Sequence, residues 1–170
     1  LIILSDLPCQ RLVCDAPGVR VVNLPQRCTS LGAKFNYCAA LARGEILLPW
    51  EDDDISLPNR ISQAVKKIDC REGWIWDQKL KEWAIVAHYF NPQHSWYING
   101  AGLHSDHRHG VCHNASAFTK VAWREAGGYP EVSGPQDAQM DARLKALGRT
   151  APPLDNNPHT WTYIYRWSVS

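Results

Sequence analysis

The sequence predicts an α/β sandwich with a mainly parallel sheet. Two observations point there. Short apolar, β-type runs alternate with segments of helical periodicity, in the order strand, strand, helix, strand, helix over residues 1–68. A chain of 170 residues also suffices for one domain with a sizeable core, so residues 1–170 are expected to form a single domain.

Each element has a local reason. "LIILS" (1–5) is a short apolar run that ends at Ser5-Asp6, and "VRVVNL" (19–24) is a second, valine-rich one. "GAKFNYCAALARGE" (32–45) sets Phe35, Cys38, Ala39 and Ala42 at helical spacing, with Gly44 as a stop. "EILLPW" (45–50) reads as a strand. Pro58 opens the helix "PNRISQAVKKI", because a fixed φ suits the first helical turn. "GWIWDQKLKEWAIVAHYF" (73–90) alternates and reads as a β-hairpin. Residues 91–114, rich in Pro, His, Asn and Gly, read as loop. "SAFTKVAWREAGGYPE" (116–131) gives a short strand and a helix stopped at Gly127-Gly128. "QDAQMDARLKALGR" (136–149) is an amphipathic helix with Met140, Leu144 and Leu147 on one side. "TWTYIYRW" (160–167) is a last strand.

Composition narrows the classes. Apolar residues make up 45% and charged residues 21%, as in ordinary globular domains. The formal net charge is +1 and no basic run exceeds Lys66-Lys67, so a nucleic-acid partner is not expected. No apolar stretch approaches the roughly 18 residues of a membrane span. "LIILSDLP" lacks the basic start of a signal peptide. The six cysteines are scattered without a CxxC pair, which predicts buried, reduced thiols in a cytoplasmic protein.

One stretch resists a purely structural reading. "PWEDDDISLP" (49–58) places four like charges directly after an apolar strand. In open α/β sheets, ligands bind beyond the carboxyl ends of strands. Clustered carboxylates that stay ionised need a cation, and a hard ion such as Mg²⁺ or Mn²⁺ takes oxygen ligands together with substrate phosphates. The other reading is a solvated acidic loop in which Asp54 caps the next helix.

The surrounding residues resemble the GT-A glycosyltransferases, specifically the family-two group of inverting enzymes. That group carries N/G-x-K/R-x-N, a helix ending A-x-G-E, an apolar strand, D-x-D and a proline; here Leu31–Pro58 reads "LGAKFNYCAALARGEILLPWEDDDISLP". "NASAFTKVAWREAGGYPE" (114–131) is similar to the segment leading to the family's GG-aromatic, on the acceptor side. "GPQDAQMDARLKALG" (134–148) resembles its G-E-D-x-D-L-x-x-R-L helix, and "YIYRW" (163–167) its Y-R segment. The resemblance implies a GT-A (Rossmann-like) three-layer sandwich. It also implies transfer of a sugar, with inversion, from a nucleotide-sugar donor such as a UDP-sugar to a glycan, lipid or small-molecule acceptor. Departures accompany it. Ser5-Asp6 replaces the family's first aspartate pair, Glu51 stands at the first position of D-x-D, Gln136 replaces a glutamate, and Phe35 a basic residue. The family's first strand and the end of its domain are expected to lie outside residues 1–170, leaving an edge beside "LIILS" that invites homodimerisation. A chain with the fold but without turnover is the alternative.

The resemblance assigns roles residue by residue. Asp53 is the main metal ligand, and Asp52 contacts ribose or, through water, the metal; Asp54 is either a further support or a helix cap. Asp137 is the base that takes the acceptor's proton; from the residues alone it also suits an N-cap, where the helix dipole would lower its basicity. Lys34 and Arg166 are candidates for neutralising the diphosphate, or are surface cations. Asp6 is placed at the nucleobase or ribose. His113 and Asn114 are expected nearest the chemistry, in a polar loop lining the acceptor or donor pocket, and Trp76, with Trp74, Trp83 and Trp96, either stacks on sugar faces or fills core. His104, His107, His109, Cys112 and His113 match no standard zinc spacing. The enzyme is expected in the cytoplasm, or peripherally at the inner face of the membrane. A Mg²⁺-phosphate enzyme of another class lacks support, since no Gly-rich phosphate loop is present.

Overall fold

A computed structural model describes residues 1–51, 53–68, 74–77, 82–85, 87–106, 113–155 and 157–166, with backbone alone for 74–77, 82–85 and 105–106. The elements are β1 (Ile2–Ser5), β2 (Arg20–Asn23), α1 (Leu31–Leu41), β3 (Ile46–Leu47), β4 (Ile55–Ser56), α2 (Arg60–Lys67), β5 (Trp74–Asp77), β6 (Glu82–Ile85), β7 (Tyr89–Phe90), β8 (Ser95–Asn99), β9 (Gly102–Asp106), β10 (Ala117–Thr119), α3 (Lys120–Glu125), α4 (Gln136–Ala146) and β11 (Tyr163–Arg166). Single 3₁₀ turns occupy His113–Ala115 and Pro158–Thr160.

The α/β order holds, but the sheet is mixed rather than mainly parallel. Among the described residues the sheets are β1-β2, β3-β10-β7, β4-β11-β8-β9 and β5-β6. Only β1–β2 and β8–β11 pair in parallel; the other strand pairs are antiparallel. The second hairpin, β8–β9, is the main departure from the sequence reading. It turns through Gly100-Ala101, and Asn99 Oδ1 accepts from the Ala101 amide at 2.9 Å. That is an Asx turn, which supplies the reversal despite the loop-like composition.

Helix starts follow local chemistry. Ser30 caps α1 by accepting from the Ala33 amide at 3.1 Å, and Thr119 caps α3 through Ala122 at 3.0 Å. Gly32 has no room for a side chain: a Cβ there would overlap the Pro130 carbonyl. α4 buries Met140 and Leu144 against Tyr89, Phe118, Ala122 and Tyr129, with Leu147 packed beside them. Its polar side is pinned too. Buried Asp141 accepts from the Tyr89 hydroxyl and from Asn91 Nδ2 (2.9 Å), and pairs with Lys145 Nζ at 2.7 Å. The expectation of buried thiols fails for Cys9 and Cys14, which are exposed, while Cys28 and Cys38 are half-buried. Both exposed thiols sit in the long β1–β2 connection, whose residues 7–18 are all exposed. Cys70 and Cys112 lie outside the described residues.

Candidate active site

The acidic row begins just past β3. Glu51, Asp53 and Asp54 each bring a carboxylate oxygen within 4.8 Å of the others. Such proximity is repulsive, and partners hold it in place. Asn114 Nδ2 donates to Glu51 Oε2. The Tyr163 hydroxyl and the Arg166 amide (2.8 Å) both donate to Asp54, and Arg166 Nε donates to the Asp53 carbonyl. The turn before α2 and strand β11 therefore fix the cluster from two sides. Asp54 is not a helix cap: the N-cap of α2 is Asn59, whose side chain makes no capping bond.

Beneath the cluster lies Arg60, 2% exposed. It donates to Ser56 Oγ (2.6 Å), to the Asn114 carbonyl (2.5 Å) and to the Pro49 carbonyl, and its guanidinium stands 4.4 Å from the Trp50 ring. Burial lowers its pKa to about 10, so it stays charged at neutral pH. It thus places a fixed cation under the carboxylates.

Glu51 carries the cluster's electrostatic signature. Burial first, and then the charges of Asp137, Asp53 and Asp54, raise it to about 7, against the hydrogen bond from Asn114. Asp137 therefore acts on the same space from the start of α4. It is not an N-cap; that position is Pro135. Burial raises the Asp137 pKa, contrary to the lowering expected from the helix dipole. Its Oδ1 and the Oδ1 of Asn114 are buried without a hydrogen-bond partner among the described residues. Buried acceptors left open beside crowded carboxylates suit a hard divalent cation and a hydroxyl donor.

The other expected residues sort cleanly. Asp6 and Lys34 meet each other at 2.9 Å, at the end of β1 and in the first turn of α1, and the Cys28 amide donates to Asp6 at 3.1 Å. The hydrogen bond from Lys34, above all, holds Asp6 below the usual carboxylate range. Arg166 reaches the acidic cluster. His113 is a core side chain, 2% exposed, with Nε2 at 2.7 Å from the Tyr129 hydroxyl and its ring against Phe118. Its neighbour Asn114 faces the carboxylates instead. His104 stacks on Tyr97. Asp52, His107, His109, Cys112 and the side chains of Trp74, Trp76 and Trp83 lie outside the described residues. Sequence reasoning assigned no role to Glu51, Arg60 or Tyr163. The E-x-D spacing was the signal for Glu51; the other two announce themselves only across the fold.

A solved mannosyltransferase, PcManGT from Pyrobaculum calidifontis in complex with GDP-Man and Mn²⁺, matches 89% of this chain with a TM-score of 0.50 at 17% identity. The fold is similar to a glycosyltransferase's. The chain spans 40% of the length of that mannosyltransferase. No protein-family model matches the sequence, and no curated protein matches it. No helix among the described residues is long and apolar enough to cross a membrane.

Proposed function

We propose that this chain is a GT-A-type catalytic domain that transfers a sugar, with inversion, from a nucleotide-sugar donor to an acceptor hydroxyl, with Mn²⁺ or Mg²⁺. The observation that carries the reading is the convergence of Glu51, Asp53 and Asp54 within 4.8 Å, with Asp137 near enough to add to the raising of Glu51.

Glu51 and Asp53 are the residues proposed to hold the cation, with Asp54 oriented by Tyr163 and Arg166. Asp52 keeps its proposed place beside them. A bound divalent ion would neutralise charge developing on the departing diphosphate. Arg166 adds a cation at the same edge. Asp137 takes the proton of the acceptor hydroxyl as its oxygen bonds to the anomeric carbon and the carbon–diphosphate bond breaks. A carboxylate raised by burial is a better proton acceptor than one at an exposed helix start. Asp6 and Lys34 form a separate ion pair that we assign to the nucleoside end of the donor. Acceptor class remains as the resemblance implies it: a glycan, a lipid headgroup or a small molecule.

The test is hydrolysis and binding of UDP-sugars and GDP-mannose, with Mn²⁺ and with chelator. Metal-dependent binding with turnover is expected. Metal-dependent binding without turnover would make the chain a binding relative of the fold. No binding of any nucleotide sugar would overturn the proposal.

A further inference from the structure

Other side chains hold the carboxylates of the acidic cluster: Asn114 holds Glu51, and Tyr163 holds Asp54. Those two holders share a neighbour. The Arg60 guanidinium donates to the Asn114 carbonyl at 2.5 Å and stands 5.8 Å from the Tyr163 ring. The same nitrogen, Nη2, also donates to the carbonyl of Pro49, two residues before Glu51. Nη1 donates at 2.6 Å to the hydroxyl of Ser56, two residues after Asp54. One side chain of α2 thus ties together the segment leaving β3, the strand β4 and the 3₁₀ turn at His113–Ala115.

A buried guanidinium that served only to offset negative charge would pair with a carboxylate, because an unpaired buried charge is costly. Among the described residues no ion pair joins Arg60 to Glu51, Asp53 or Asp54. Its hydrogen bonds go to neutral oxygens instead. The guanidinium suits that work. It is planar and presents its donors in fixed directions, so it orders several acceptors at once, which an ammonium does not. At 2% exposure, water does not compete for the two carbonyls. Holding the backbone of Asn114 beside that of Pro49 sets the reach of the Asn114 side chain, and its Nδ2 is what meets Glu51. Like charges repel, so without this frame Glu51 would turn away from Asp53 and Asp54.

We propose that Arg60 is the positioning residue of the acidic cluster: by holding Asn114 to Pro49 it sets Glu51 against Asp53 and Asp54 before any cation arrives. Its effect on metal binding rests on the function proposed above; its effect on the Asn114 side chain does not. A charge role and a positioning role predict opposite signs. A fixed cation close to a divalent site repels the incoming ion, so removing it would tighten binding. A frame that presets the ligands favours binding, so losing it weakens binding.

The probe is Mn²⁺ alone, titrated into the intact chain and followed by electron paramagnetic resonance. Hydrogen exchange of the Asn114 side-chain amide is followed by NMR in the metal-free protein. Arg60→Lys keeps the charge and loses the fork. It should weaken Mn²⁺ binding and speed exchange of the Asn114 amide, each at least tenfold, while circular dichroism shows a folded chain. Arg60→Met should weaken Mn²⁺ binding as much, although a cation has been removed. Asn114→Ala, at a half-buried position, should do the same, and adding Arg60→Lys to it should change the affinity less than twofold further. An Asn114 amide that exchanges in Arg60→Lys as it does in the parent would overturn the proposal. So would Mn²⁺ affinity unchanged in Arg60→Lys, which is the mark of a role in stability alone, or affinity raised in Arg60→Met. If the parent binds no Mn²⁺, the proposed function fails, and the Asn114 amide alone decides whether Arg60 positions the cluster. If both Arg60 variants unfold, Asn114→Ala decides, and Mn²⁺ affinity unchanged there overturns the proposal.

Discussion

Burial of His113 makes the fold acid-sensitive. Its pKa falls from 6.5 to about 4, because burial disfavours the imidazolium more than Asp141 favours it. The unfolded chain then binds more protons than the folded one between those two values. The contribution of neutral His113 is complete above pH 6.5 and is lost as the pH falls through 4. A pKa that falls from 6.5 to about 4 corresponds to about 3 kcal/mol. Glu51 and Asp137, both raised, work in the opposite direction, so the raw pH profile mixes signs. Subtracting a variant isolates the histidine. Urea unfolding of the parent and of His113→Gln should be measured from pH 7.5 to pH 4. The parent should lose about 3 kcal/mol more than the variant across that range, and the difference curve should bend near pH 6.5. A flat difference would refute the reasoning, because it would mean that His113 titrates alike in both states.

Three further outcomes follow from the site and the fold. Asp137→Asn should keep metal-dependent donor binding in calorimetry while lowering transfer by about 10²–10⁴-fold, the usual worth of a positioned base; unchanged turnover with a confirmed acceptor would remove Asp137 from the chemistry. Asp53→Asn should instead weaken the Mn²⁺-dependent binding of the donor itself, read in the same titration with and without chelator. Gly32→Ala should cost about 1–3 kcal/mol in urea unfolding, since its methyl would overlap the Pro130 carbonyl, whereas Gly44→Ala, with its nearest neighbour at 3.7 Å, should change far less.

Much of the frame was legible because its causes are local. Met140 and Leu144 announced the buried face of α4, and Gly127-Gly128 announced the stop after α3. The acidic row after an apolar strand pointed to the cluster, and Glu51 stood at the expected spacing. What the sequence concealed depends on distant partners. "EILLPW" (45–50) forms a strand only at Ile46 and Leu47, where β10 offers an edge seventy residues later in register with Thr119 and Phe118. The hairpin at 95–106 hid behind a composition read as loop, although Asn99-Gly100 marked its turn. His113 looked like a pocket residue and is core, because Tyr129 and Phe118 close over it. Arg60 gave no signal at all; its meaning comes from Pro49, Asn114 and Trp50 converging on one guanidinium.

The pinning of Asp141 has a consequence for Asp137, one helical turn before it. A helix that slips by one residue rotates by about 100°, enough to swing a side chain from one wall of a cleft to solvent. Tyr89 and Asn91 grip Asp141 from outside the helix, so such a slip would break two polar contacts at once. The bearing of Asp137 is therefore decided from inside the molecule, by contacts at the buried Asp141. Under the proposed function, surface residues around Asp137 are then free to change with the acceptor, while the direction in which Asp137 points stays the same.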